Sequence, residues 1–167
     1  MKESLTKLKE NKTLSLEISH KPAFIVIMFF LILVSCSKKT EEINYNSDEC
    51  SYCTMPISDN RYATEIISND AKVYKFDSIE CLIGYSLVKN VTQNDSVKFF
   101  VSDFLNPGRF IEIGNSFFVH NDKFMSPMAL NVQTFSSQTD CEKFVKENGG
   151  TKISWEDVVK MVKESNQ

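Results

Sequence analysis

YKFDSIEC, Tyr74 to Cys81, decides the reading of this chain. Its first half belongs to an alternating run, Ala71 to Phe76, of the kind a half-buried strand shows. Asp77-Ser78 then offers an N-cap, with Glu80 in the first turn that follows. A second phrase, QTFSSQTDC, Gln133 to Cys141, has the same grammar. Each runs strand, Phe, serine-bearing cap, then a helix whose first turn carries an acidic residue and a cysteine.

Outward from the first phrase, Arg61 to Ile67 is rich in β-formers and Ser68-Asn69-Asp70 is a turn signal, so Arg61 to Phe76 predicts a hairpin. Ile79, Leu82, Ile83, Leu87 and Val88 recur at helical spacing, which predicts a helix over Ser78 to Lys89. Val97 to Val101 predicts a strand. Outward from the second phrase, Ser116 to His120 and Ala129 to Phe135 predict strands, and Ser136 to Asn148 predicts a helix stopped by Gly149-Gly150. Thr151 to Ile153 is a short strand, and Ser154 caps a last helix, Trp155 to Lys163. Asn94-Asp95, Asn106-Pro107-Gly108 and Asn121 to Pro127 read as the main loops. The expected fold is α+β, with two similar ββαβ units, 48–104 and 105–167, the second ending in a C-terminal helix.

The front of the chain reads differently. Phe24 to Val34 is an apolar run preceded by lysines, too short for the roughly 20 residues of a membrane span. It fits the core of an export signal over residues 1–35. Leu33-Val34-Ser35-Cys36 has the pattern read by lipoprotein signal peptidase, which makes Cys36 the expected lipidation site. Acyl chains there would hold the domain to a membrane without a spanning helix. Residues 36–47 are polar and read as a tether. The whole chain carries a net charge of −3. Without residues 1–35 it loses five lysines and three glutamates from 19 basic and 22 acidic residues, which leaves −5. That balance argues against nucleic acid as a partner. The expected location is the cell envelope, facing the periplasm.

Beyond Cys36 the cysteines are Cys50, Cys53, Cys81 and Cys141. Cys81 and Cys141 fall on predicted helices, as a disulfide pair or as small buried hydrophobes. Cys50 and Cys53 stand in DECSYCTMPISD, Asp48 to Asp59, just before the first strand. Three chemistries compete there. A thiol-disulfide centre normally caps a helix, and no helix directly follows Met55-Pro56. Structural zinc wants four Cys or His ligands, and no second C-x-x-C is present. Cu(I) is soft, tolerates few ligands and selects thiolate and thioether. Met55 supplies a thioether beside the cysteines. HNDKFMSPM, His120 to Met128, adds His120, Met125 and Met128. Cys50, Cys53, Met55, His120, Met125 and Met128 are therefore the candidate metal ligands.

Cys50 to Asp59 resembles the C-x-Y-C-x-M-x-x-x-D opening of the NosL family, lipoprotein accessory proteins of nitrous oxide reductase. FDSIECLIGYS, Phe76 to Ser86, is similar to that family's F-D-x-x-x-C-L segment, and Ser126-Pro127-Met128 to its G-P-M-G loop, with Ser126 and Ala129 in place of glycines. Gly149-Gly150 and Ser154-Trp155-Glu156 also fall in register. The resemblance implies two ββαβ units and a Cu(I) chaperone for the reductase, with Cys50, Cys53, Met55 and Met128 matching family positions. His120 and Met125 rest on metal softness alone. The reading is a lipid-anchored, non-enzymatic Cu(I) carrier. The alternative is a membrane-tethered thiol-disulfide oxidoreductase using Cys50 and Cys53.

Overall fold

The alternating and helical runs form two antiparallel sheets in the computed structural model, which describes residues 39–94 and 96–165. The expected signal segment 1–35 and the lipidation site Cys36 lie outside those residues. In order, the elements are β1 (Thr64–Ile67), β2 (Val73–Phe76), α1 (Ile79–Lys89), β3 (Lys98–Asp103) and β4 (Asn106–Glu112). A short 3-10 turn follows, then β5 (Phe117–His120), β6 (Val132–Phe135), α2 (Gln138–Asn148), β7 (Thr151–Ile153) and α3 (Trp155–Ser165).

The first sheet has strand order β2-β1-β3-β4 and the second β6-β5-β7. In both, the first strand of a ββαβ run is central, flanked by the second strand and by the one after the helix. Helix starts are set by local chemistry. The Ser78 and Ser137 side chains each accept the backbone N–H three residues on, at 3.4 and 3.1 Å. Ser154 and Asp157 bond reciprocally, Asp157 N–H to Ser154 Oγ at 3.1 Å and Ser154 N–H to Asp157 Oδ2 at 2.9 Å, as in a capping box.

One strand departs from the expectation. Asn106-Pro107-Gly108 was expected to be loop, yet it opens β4, which pairs with β3 from Asn106 to Glu112. Turn residues are tolerated there because β4 is an edge strand, and the register shifts beside it at Ser102/Asp103. Residues from 106 to 112 thus lie in the first sheet rather than beginning the second. The segment read as a tether is in part docked. Ile43 is 5% exposed and sits in the main core, while Glu41 N–H donates to Glu65 Oε2 at 3.2 Å. Lys75 Nζ reaches Glu42 O at 2.7 Å and Asp48 Oδ2 at 2.8 Å. Glu65 and Lys75 are cross-strand neighbours, so residues 41–48 strap one face of the β1–β2 pair. Ile43 is the apolar residue that makes such docking favourable.

The two halves are tied together in two places. Val158 and Val162 of α3 enter the same core as Leu82 and Ile83 of α1. At the other end, Phe104 N–H donates to Thr134 O at 2.8 Å, and Thr134 Oγ1 donates to Ser102 O. A smaller aromatic core of Tyr62, Phe104, Phe135 and Phe144 closes that seam. Gly150, immediately before β7, lies against the end of β5, where a Cβ would stand 2.9 Å from His120 O. It also carries a positive φ of 96°, so glycine is required there.

Candidate metal site

The C-x-x-C motif lies on a single turn that folds back on itself. Thr54 N–H donates to Cys50 O at 3.0 Å, Cys50 N–H to Met55 O at 2.8 Å and Ile57 N–H to Asp48 O at 2.9 Å. Thr54 takes a left-handed φ of 62° to allow the return. Asp77 Oδ1, at the junction of β2 and α1, accepts Ser58 N–H at 3.3 Å, and Ser51 N–H donates to Lys75 O at 2.8 Å. These bonds lay the turn over the start of α1. Tyr52 lies on Gly84, where a Cβ would come within 2.7 Å of its ring. Glycine at 84 is what lets the ring sit against the helix.

The consequence is a cluster of three thiols. The sulfurs of Cys50, Cys53 and Cys81 all lie within 4.8 Å of one another. Cys50 and Cys81 are each 1% exposed, while Cys53 is half-buried at the rim. All three are free thiols, as is Cys141. A trigonal ion with metal–sulfur bonds near 2.3 Å would space three sulfurs about 4 Å apart, within reach of this arrangement.

The environment splits the three thiols. Cys50 is pulled down to about 5, first because the Cys81 thiol donates to its sulfur, against the penalty of burial. The backbone N–H groups of Cys53, Asp77 and Tyr52 also point at it. Cys81 is pushed strongly up, because it is the donor in that pair and because it is buried. Cys53 is raised chiefly by burial. Burial also raises Asp77, and a charge on Cys50 adds to that. At neutral pH these shifts favour one thiolate, Cys50, beside two protonated thiols.

Cys81 was expected to be a bonded or merely packed helical cysteine, equivalent to Cys141. Both are free thiols and both are buried, but they do not occupy equivalent places. Counted from its cap, Cys81 is the third residue after Ser78, whereas Asp140 is the third after Ser137 and Cys141 the fourth. One residue on a helix is a turn of about 100°. Cys81 faces the C-x-x-C turn, and Cys141 faces the aromatic core with Phe135 and Phe144.

The methionines and the histidine separate too. Met128 lines a pocket of about 250 Å³ with Tyr52, Glu80 and Cys81, so the second half does contribute a thioether beside the cluster. Its loop is held to α1 by Glu80, whose Oε1 accepts Ser126 Oγ at 2.8 Å and Leu130 N–H at 2.9 Å. The Met55 N–H points at the Cys53 sulfur, and its side chain is exposed. Met125 is 70% exposed and does not line that pocket. His120 is at the end of β5 with Nε2 3.4 Å from Asp122 Oδ1, outside the thiol group. Proximity in HNDKFMSPM suggested one shared site, but the loop brings Met128 to the pocket that Cys81 lines and leaves His120 at the end of β5.

Residues 43–162 match the NosL family model. The chain belongs to the NosL family. Among solved structures, the chain resembles one titled "Crystal structure of the copper chaperone NosL from Shewanella denitrificans". The TM-score is 0.59 at 23% identity, covering 72% of this chain and 95% of that one. At that identity the likeness carries the α+β fold of the NosL chain. A search of curated proteins finds no match. Among the described residues no helix is long and apolar enough to cross a membrane.

Proposed function

We propose that this NosL protein carries Cu(I), taking it up in the Cys50–Cys53–Cys81 cluster and releasing it past Met128. The three-thiol cluster carries the reading. Thiolates select soft ions, and a low coordination number suits Cu(I). Zinc in a closed site wants a fourth ligand, and none of the Cys, His or carboxylate kind joins this group among the described residues. The solved relative is titled a copper chaperone, which supports the same cargo here. Met55, whose N–H points at the Cys53 sulfur, and Met128, which lines the pocket with Cys81, carry exposed side chains suited to pass the ion in and out. His120 and Met125 are left out of the donor set. Family membership favours nitrous oxide reductase as recipient, and the Cys36 pattern favours a lipid anchor in the cell envelope facing the periplasm.

The oxidoreductase reading has one observation in its favour, the lowered Cys50 thiol. The start of α1 reaches that sulfur from residues far along the chain, supplying the helix setting that the local sequence lacks. Burial weighs against it. A nucleophile 1% exposed cannot meet a protein disulfide without opening of the site. Anaerobic titration of the reduced protein with Cu(I) against a competing chelator separates the two. The carrier binds one ion tightly and loses it in Cys50→Ser. Absent binding, with catalytic turnover in insulin reduction, would establish the oxidoreductase instead.

A further inference from the structure

Glu80, which lines the pocket beside Cys81, has a side-chain oxygen that nothing among the described residues engages. Glu80 is 9% exposed and lines the pocket with Tyr52, Cys81 and Met128. Its Oε1 is used twice, by Ser126 Oγ and Leu130 N–H. Its Oε2 is shut off from solvent and has no hydrogen-bond partner among the described residues. A buried carboxylate oxygen without a donor is costly, and such an orphan calls for an explanation in its function.

We propose that Glu80 Oε2 accepts the N–H of an incoming imidazole, so that this pocket favours a histidine of the recipient as the group that takes the ion. The inference rests on the Cu(I)-carrier reading. Three side-chain classes can draw Cu(I) from thiolates: thiolate, thioether and imidazole. Thiolate and thioether have no donor to offer a carboxylate. Imidazole binds metal through one nitrogen and donates from the other, and ligating histidines commonly give that N–H to a carboxylate. The exchange is redox-neutral. A bond forms between copper and an imidazole nitrogen while the copper–thiolate bond to Cys53, the half-buried thiol at the rim, breaks and that sulfur takes up a proton from solvent. The copper stays Cu(I), and the imidazole proton stays on the second nitrogen, shared with Oε2. The ring reaches Oε2 from the pocket as the exposed Met128 side chain gives way.

The test titrates the Cu(I)-loaded full chain, without oxygen, with imidazole and with 1-methylimidazole, which keeps the metal-binding nitrogen and lacks the N–H. Imidazole is expected to bind at least about fivefold more tightly. Glu80→Gln should abolish that preference. Its amide oxygen can still hold Ser126 and Leu130, while its NH2 meets the incoming N–H with another donor. Ser126→Ala loosens the loop but keeps Oε2, and it should keep the preference. Equal affinities for the two probes in the unmodified protein would overturn the inference, as would a preference that persists in Glu80→Gln. Cu(I) stoichiometry, measured first on every variant, separates this outcome from failure of the carrier reading, in which no ion is bound at all.

Discussion

The two ββαβ runs share a topology and a capped helix, yet only the first makes a thiol cluster. The difference is not in the scaffold. In the first run the turn at 48–57 folds over the start of α1, and the third residue of that helix is a cysteine. In the second run the strand β5 is preceded by β4 and a 3-10 turn, and the third residue of α2 is Asp140. Its cysteine, one residue later, packs among phenylalanines. A duplicated frame gathers three thiols only where an extra turn closes it and the helix presents sulfur at the right angle.

The sharpest way to break this comparison is to treat the two helical cysteines alike. Cys81→Ser should weaken Cu(I) binding by at least about 100-fold, since even outer partners of ligands cost 10–100-fold. Cys141→Ser should leave the affinity unchanged and lower stability by about 1–2 kcal/mol, because it buries a hydroxyl among aromatic rings. Chelator competition and urea unfolding read the two effects. Equal losses of affinity would mean that the cysteines are equivalent after all.

The split among the three thiols predicts a steep pH dependence. At neutral pH Cys53 and Cys81 are raised and protonated, while Cys50 is already ionised. Loading as three thiolates then releases about two protons, and affinity should fall about 100-fold for each pH unit lowered between about pH 8 and 6. Below the Cys50 value of about 5 a third proton steepens the fall. A slope near one in the competition titration would remove one cysteine from the ligand set.

Buried polar residues offer a milder contrast. The second sheet buries a neutral Gln133, whereas the first buries Glu65, which burial raises to about 7 from 4.5. A carboxyl raised on folding adds stability while protonated, present in full below about 4.5 and lost as pH rises through about 7. Urea unfolding should therefore show the protein less stable at pH 8 than at pH 5, by about 1–3 kcal/mol. Glu65→Gln should flatten that dependence. The smallest effect is expected from Gly84→Ala, which lifts the Tyr52 ring off α1. It should weaken Cu(I) binding by a few-fold, about 1 kcal/mol, with Cys50 and Cys53 intact.

Much of the frame was legible along the chain. Alternation at 71–76, the serine caps and the glycine stop at 149–150 each act within a few residues, and the helices start where those caps stand. The edge strand β4 was hidden because its pairing comes from β3 while its own first residues are turn formers. Within the site, the spacing of Cys50 and Cys53 placed two sulfurs together, while the loop at Met128 comes to line a pocket with Cys81. The role of Cys81 was hidden because the two phrases are alike enough to mask its different distance from the capping serine. Counting from the capping serines would have shown the one-residue offset.

By itself, then, the sequence determined the elements, their order and a soft pair of cysteines, because caps, periodicity and i,i+3 spacing are local. Only the tertiary structure decided that Cys81 completes the cluster, that Met128 and not His120 lies beside it, and that Glu80 keeps a free oxygen there. Those facts depend on how the 48–57 turn and the 126–130 loop both close over one helix start. Such contacts join residues dozens of positions apart, and no local pattern encodes the direction in which each side chain finally points.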